Sequence, residues 1–98
     1  MAKKAYILVF DRDDNIDYTA LHKNITTLPE VTNWFHYIKS SYILISTLTS
    51  STKLNNLLTP FFPKGKSILL IEVNLKNRNG LLVPKAWEWL KKQQTQVE

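Results

Sequence analysis

Three segments of the chain are apolar at consecutive positions, and this constrains the fold more than any other feature. They are Ala5-Tyr6-Ile7-Leu8-Val9-Phe10, Tyr42-Ile43-Leu44-Ile45-Ser46-Thr47 and Ser67-Ile68-Leu69-Leu70-Ile71-Glu72-Val73. Their β-branched and aromatic content is that of strands. Side chains alternate across a strand, so Tyr6, Leu8 and Phe10 share one face while Ile7 and Val9 share the other. In the same way Tyr42 and Leu44 oppose Ile43 and Ile45, and Ile68 and Leu70 oppose Leu69, Ile71 and Val73. A sheet built from these strands is apolar on both faces, and each face needs a cover.

The segments between them supply part of that cover. Asp17 can cap a helix from Tyr18 to Leu28, with Tyr18, Leu21, Ile25 and Leu28 at helical spacing and Pro29 as its stop. A fourth strand spans about Asn33 to Ile38 and is rich in aromatics. It is joined to the strand at Tyr42 by the short break Lys39-Ser40-Ser41, as in an antiparallel hairpin. Ser50 or Ser51 caps a second helix, Thr52–Thr59, with Leu54, Leu57, Leu58 and Phe61 on one stripe. Pro60 and Pro63 end it, and Lys64-Gly65-Lys66 turns the chain. After the last long strand come a polar loop, 76–80, a short strand or extended piece at Leu81-Leu82-Val83, and a helix that Pro84 can start.

The predicted order is β-α-β-β-α-β with a C-terminal strand or helix extension. It is the α+β, ferredoxin-like pattern with an antiparallel sheet. One domain is expected over residues 1–92, with a frayed tail at 93–98. In this arrangement the two main helices cover one face only. The other face would expose more apolar surface than a monomer usually does, so a homodimer through that sheet face is expected, by two-fold symmetry. The competing cover is the C-terminal segment folding back with Trp87 and Trp89. The two are compatible if the tail crosses to the partner.

Composition narrows the function classes. The chain's 98 residues suffice for one domain. A hydrophobic fraction of 44% excludes a disordered chain. Cysteine is absent, which excludes disulfides, thiolate metal sites and cysteine nucleophiles. The apolar run after Lys3 and Lys4 is short and lacks a small-residue cleavage site, so no secretory signal is expected. No stretch reaches the roughly 18–20 apolar residues of a membrane span. A cytoplasmic protein without a membrane partner is the expectation. The net charge of +5 is uneven, because residues 31–98 hold nine bases against three acids. That balance suits a polyanion, although the bases are scattered and would also serve solubility alone.

Four stretches together resemble a known group. They are the strand ending Phe10-Asp11, the run Asn33-Trp34-Phe35-His36-Tyr37, the start Ser41-Tyr42-Ile43-Leu44, and the ending Leu81-Leu82-Val83-Pro84-Lys85-Ala86-Trp87-Glu88-Trp89-Leu90. In order and spacing they resemble the SinR family, a relative of the CRISPR-associated protein two (Cas-two) fold. The resemblance implies a ferredoxin-like homodimer with packed sheets. In the CRISPR-associated relatives the aspartate ending the first strand lies near the dimer axis. Some members use it with a divalent metal to cleave phosphodiesters, and others are non-catalytic DNA-binding scaffolds. By position Asp11 would inherit the metal role. The chain departs from the pattern in carrying Phe10 where a tyrosine is usual, and in placing Asp13 and Asp14 in the same loop.

The residues can be weighed beside that resemblance. The loop from Asp11 to Asp17 fails as a calcium-binding EF-hand, since Ile16 stands where the turn needs glycine and His22 where a bidentate glutamate is needed. Mg²⁺ or Mn²⁺ through Asp11 fits better, because hard cations take one or two carboxylates plus water and substrate phosphates. Two copies of Asp11 across a two-fold axis would supply them. Alternatively Asp11 only ends a strand, Asp17 only caps a helix, and Asp13 and Asp14 are solvated. His22 is expected on a polar helix face, in solvent. His36 is either a general base for a ribose 2′-hydroxyl or an edge-strand residue with one satisfied hydrogen bond. Trp34, Phe35 and Tyr37 with Lys39 would either stack bases beside a phosphate contact or pack in the core and interface. Lys64, Lys66, Lys76 and Arg78, in loops at strand ends, are the expected phosphate contacts. Lys91 and Lys92 offset the last helix dipole. No serine–histidine–acid spacing and no glycine-rich phosphate loop is legible.

Two functions follow as expectations. One is a nucleic-acid-binding homodimer of the CRISPR-associated type, with or without metal-dependent nuclease activity. The other is a non-enzymatic dimeric module for a small nucleotide ligand or a protein partner. Whether the chain is an enzyme stays open, since no complete catalytic set is visible.

Overall fold

A computed structural model describes residues 3–13, 15–76 and 78–97. Its elements are β1 (Lys4–Phe10), α1 (Tyr18–Thr26), β2 (Val31–Phe35), β3 (Ser41–Ser46), α2 (Ser51–Leu58), β4 (Ile68–Glu72) and α3 (Pro84–Gln93), with a 3₁₀ turn at Thr59–Phe61. The strands form one antiparallel sheet in the order β2-β3-β1-β4. This α+β arrangement is compatible with a ferredoxin-like fold.

Local chemistry sets the element ends. Asp17 Oδ1 accepts the amide hydrogens of Thr19 and Ala20, each at 3.1 Å, and so caps α1. The helix stops at Thr26, two residues short of the expected Leu28. Leu28 precedes Pro29, whose ring disfavours helical backbone at the residue before it. Thr26 and Thr27 finish the last turn by donating their hydroxyls to the carbonyls of His22 and Lys23. Ser50 caps α2 through the amide of Lys53. The turn Pro63–Lys66 is closed by the Lys66 amide donating to the Pro63 carbonyl, and Gly65 takes φ +86°, which a side chain would strain. β2 lies earlier than the expected Asn33–Ile38, because a bulge between Val31 and Asn33 lets Val31 pair with Ser46, while residues 36–40 form the hairpin turn. Residues 81–83 form no strand, Val83 is extended, and Pro84 opens α3 as its first residue.

The two sheet faces have different covers. On the inner face Tyr6, Leu8, Phe10, Tyr42 and Leu44 pack with Leu21 and Ile25 of α1 and Leu54 and Leu58 of α2. On the outer face α3 lays Ala86 and Leu90 over Ala5, Phe35 and Ile45, with Trp87 and Trp89 packed alongside. The indole N–H of Trp89 donates to Asn33 Oδ1 at 3.2 Å. Gln93 is buried, and Val97, within the expected tail, packs against this outer cluster; Glu98 lies outside the described residues.

Folding back of the C-terminal segment therefore occurs, but it covers only part of the outer face. Val9 faces Leu69 and Ile7 faces Ile71 across the β1–β4 ladder. Of these, Leu69 stays 56% and Ile71 47% exposed. Among the described residues, no helix is long and apolar enough to cross a membrane.

Candidate functional site

Antiparallel pairing gathers most of the predicted site residues at one end of the sheet. β1 ends at Phe10, where the Phe10 amide donates to the Ser40 carbonyl and the Asp11 amide donates to the Ser67 carbonyl. The hairpin turn carrying His36 and Lys39 thus flanks β1 on one side. The turn carrying Lys64 and Lys66 flanks it on the other.

Asp11 is exposed at this end. The Ser67 amide donates to its Oδ2 at 3.3 Å, so one carboxylate oxygen is partly engaged by backbone. Asp11 opens on a shallow depression of about 160 Å³, shared with Val9, Ser67 and Leu69. It therefore stands at the margin of the exposed apolar strip. Asp13 forms an ion pair with Lys66. That pair holds the Asp13 carboxyl below its ordinary range, with help from the Asn15 amide, and raises the Lys66 ammonium in turn. Asp13 is thus paired where the sequence suggested solvation, and the charge of Lys66 is partly spent within the protein. Asp14 lies outside the described residues. Among the described residues, no group of three or more His, Cys, Asp or Glu side chains could hold a metal ion. Among the described residues, Asp11 is the carboxylate that stands at the place where Mg²⁺ or Mn²⁺ was expected, with Asp13 engaged by Lys66.

His36 is held at the start of the hairpin turn. Its Nδ1 lies 2.8 Å from the Ser41 carbonyl oxygen. A carbonyl only accepts, so Nδ1 carries the hydrogen. The ring stacks on Tyr42 at 4.0 Å between centroids and 3° between planes. His22 is half-buried and not solvated as expected. Its Nδ1 lies 2.7 Å from the Tyr42 hydroxyl, and its ring packs edge-on against Trp34 at 4.8 Å. The helical turn that buries Leu21 and Ile25 carries His22 round to the sheet beside them. Burial pushes the Tyr42 hydroxyl up to about 12, against the opposing charge of Arg12. Trp34 is 39% exposed, whereas Phe35 is buried in the outer cluster. Of the expected stacking residues, Phe35 is thus a core residue, while Trp34 and Tyr37 keep exposed surface.

Arg12 joins the two halves of this end. Its guanidinium lies 3.9 Å from the Tyr18 ring centroid and donates to the Lys39 carbonyl at 2.8 Å. Nothing in the linear sequence marks Arg12, His22 or Tyr42 as neighbours, since they meet only through strand pairing and helix packing.

Lys76 and Arg78 lie at the other end of the sheet, beyond the end of β4. Lys76 is exposed. One terminal nitrogen of Arg78 donates to both the Leu75 carbonyl and the Gln94 amide oxygen, and its Nε is buried with no acceptor among the described residues. Arg78 therefore ties the loop after β4 to the end of α3. It also borders an apolar cleft of about 310 Å³ against Ile7, Ile43 and Trp87. The expected phosphate contacts thus divide into Lys39, Lys64 and Lys66 beside Asp11, and Lys76 and Arg78 far from it. Comparison of the chain with family models, with curated proteins and with solved structures finds no match in any of the three.

Proposed function

We propose that the chain is a ferredoxin-like homodimer of the Cas-two and SinR type that binds nucleic acid across the Asp11 end of its sheet. The observation that carries this reading is the meeting there of Asp11, Arg12, Lys39 and Lys64 with the exposed ring of Tyr37 in the hairpin turn, while the ring of Trp34 lies further along the sheet, level with Tyr6. Phosphates would meet the bases, and unstacked nucleobases would meet the rings. In the dimer, Val9, Leu69 and Ile71 of each copy pack on those of the other. Asp11 borders that strip, so the packing would draw the two Asp11 carboxylates toward one axis. Two carboxylates with substrate phosphates would suit Mg²⁺ or Mn²⁺, which would supply Lewis-acid stabilisation of a phosphodiester transition state.

A binding and cleavage panel on RNA and duplex DNA tests this reading, run with and without Mn²⁺ on wild type and Asp11→Ala. Binding should be strongest at low salt and fall steeply as salt rises. Undetectable binding of both nucleic acids at low salt would refute it. If Mn²⁺ supports cleavage, Asp11→Ala should abolish that part while the protein stays dimeric. A second reading, a non-enzymatic module for a small nucleotide ligand, is favoured by the apolar cleft beside Arg78. A nucleotide retained through purification, with no cleavage under any metal, would select it.

A further inference from the structure

The geometry points to a second chemistry at this end of the sheet: His22 and His36 act as the acid and base of a metal-independent cleavage of RNA. This rests on the nucleic-acid reading above, but it uses neither Asp11 nor a metal.

The two imidazoles have ring centroids 5.8 Å apart and are tilted by 33°. Both are fixed by Tyr42, which stacks on His36 and meets Nδ1 of His22 with its hydroxyl. Each ring therefore has its Nδ1 occupied by the protein, which leaves Nε2 for a ligand. The two Nε2 atoms differ in what they can do. His36 donates Nδ1–H to the Ser41 carbonyl, so its neutral form carries a lone pair on Nε2 and is a base. His22, when protonated, can donate Nδ1–H to the Tyr42 oxygen and present Nε2–H as an acid. Ring centroids 5.8 Å apart put both imidazoles within the span of one phosphodiester, whose oxygens accept hydrogen bonds of about 2.6–3.2 Å.

The charge around the pair decides between a cation and an anion as ligand. Two imidazoles alone would also suit a transition metal. However, Arg12, with its guanidinium over Tyr18 and on the Lys39 carbonyl, brings a positive charge to this end of the sheet, and no carboxylate joins the pair among the described residues. With no carboxylate to offset it, that charge favours an anion at the imidazole pair and would stabilise the extra negative charge of a pentacoordinate phosphorus. Trp34, packed against His22 and partly exposed, gives an adjacent base a stacking surface.

The step balances without a co-reactant. His36 Nε2 takes the proton of a ribose 2′-hydroxyl as the 2′-oxygen bonds to the adjacent phosphorus. The phosphorus–O5′ bond breaks, and His22 gives its Nε2 proton to the departing O5′. The products are a 2′,3′-cyclic phosphate and a 5′-hydroxyl end. DNA lacks the 2′-hydroxyl and cannot react.

The test is cleavage of a labelled single-stranded RNA in EDTA, with end-group analysis and parallel measurement of binding. The variants are His22→Asn and His36→Asn, in which the amide nitrogen can keep the hydrogen bond made by Nδ1 while Nε2 is removed. Wild type should produce 2′,3′-cyclic phosphate ends. A single 2′-deoxyribose at the cleavage position should block the cut. Each variant should still bind RNA, through the bases and rings outside the pair, and cleave about 10²–10⁴-fold more slowly. Binding without cleavage in EDTA, or cleavage at equal rates in the variants, would overturn this inference and leave the nucleic-acid reading intact. Loss of binding by wild type itself would remove both.

Discussion

Asp17 is the clearest case of one side chain fixing one local structure. It caps α1 by accepting two amide hydrogens that would otherwise lack partners. Asp17→Ala is expected to cost about 0.5–2 kcal/mol, read as a lower denaturant midpoint with an unchanged slope. Tyr42 carries a pH signature. Its hydroxyl is held up to about 12 by burial, so the folded state keeps a proton that the unfolded chain releases at lower pH. Stability from this group is full below the ordinary tyrosine range and is lost as pH rises toward 12. Tyr42→Phe should flatten that alkaline loss in a series of melts. Asp13 works with the opposite sign. Its carboxyl is held low by Lys66, so its contribution is present above the ordinary carboxylate range and fades as pH falls below it. The Asp17 cap was legible because its signal is local: a short acid just before an apolar periodicity. The pairing of Asp13 with Lys66 and of His22 with Tyr42 was not, since each joins residues that only the folded sheet brings together.

At the scale of elements, α3 is the piece whose role the structure sharpens. Apolar residues on both faces of the strands announced that the outer face needs a cover, and Pro84 marked where a covering helix starts. Which strands it would cover was not legible, because that depends on how far the 74–83 segment carries the chain across the sheet. It covers Ala5, Phe35 and Ile45 and leaves Val9, Leu69 and Ile71 open. Leu90 is 4% exposed, and Leu90→Ala should cost about 2–5 kcal/mol through lost burial and an unfilled cavity. Equilibrium denaturation checks this. The expected β2 came out too late because Trp34, Phe35 and Tyr37 read as one aromatic-rich strand. In the fold that run is split by the hairpin turn, and a bulge shifts the register upstream.

For the whole molecule, magnitudes decide what a dimer requires. Fully burying an aliphatic side chain contributes about 1.5–3 kcal/mol, and Val9, Leu69 and Ile71 are already half-buried in one copy. Three such residues from each copy therefore contribute on the order of 5–9 kcal/mol, within the range of the roughly 4–15 kcal/mol that association costs. The strip alone does not give a tight dimer. In the proposed dimer, Leu81, 98% exposed and lining the same cleft as Ile7, and Val83 would have to add to it. Leu81→Ser should thus weaken the dimer by at least tenfold while leaving the protomer's unfolding unchanged, since a fully exposed side chain stabilises nothing within its own copy.

The most direct measurement is sedimentation equilibrium of the wild-type protein and of Leu69→Asp at micromolar concentration. The chain has a mass of 11.4 kDa. The wild type should sediment at twice that mass, and Leu69→Asp should sediment at the mass of one chain with its far-ultraviolet spectrum unchanged. A wild-type protein that stays at 11.4 kDa across the concentration range would contradict the shared Asp11 axis and the dimeric nucleic-acid surface built on it.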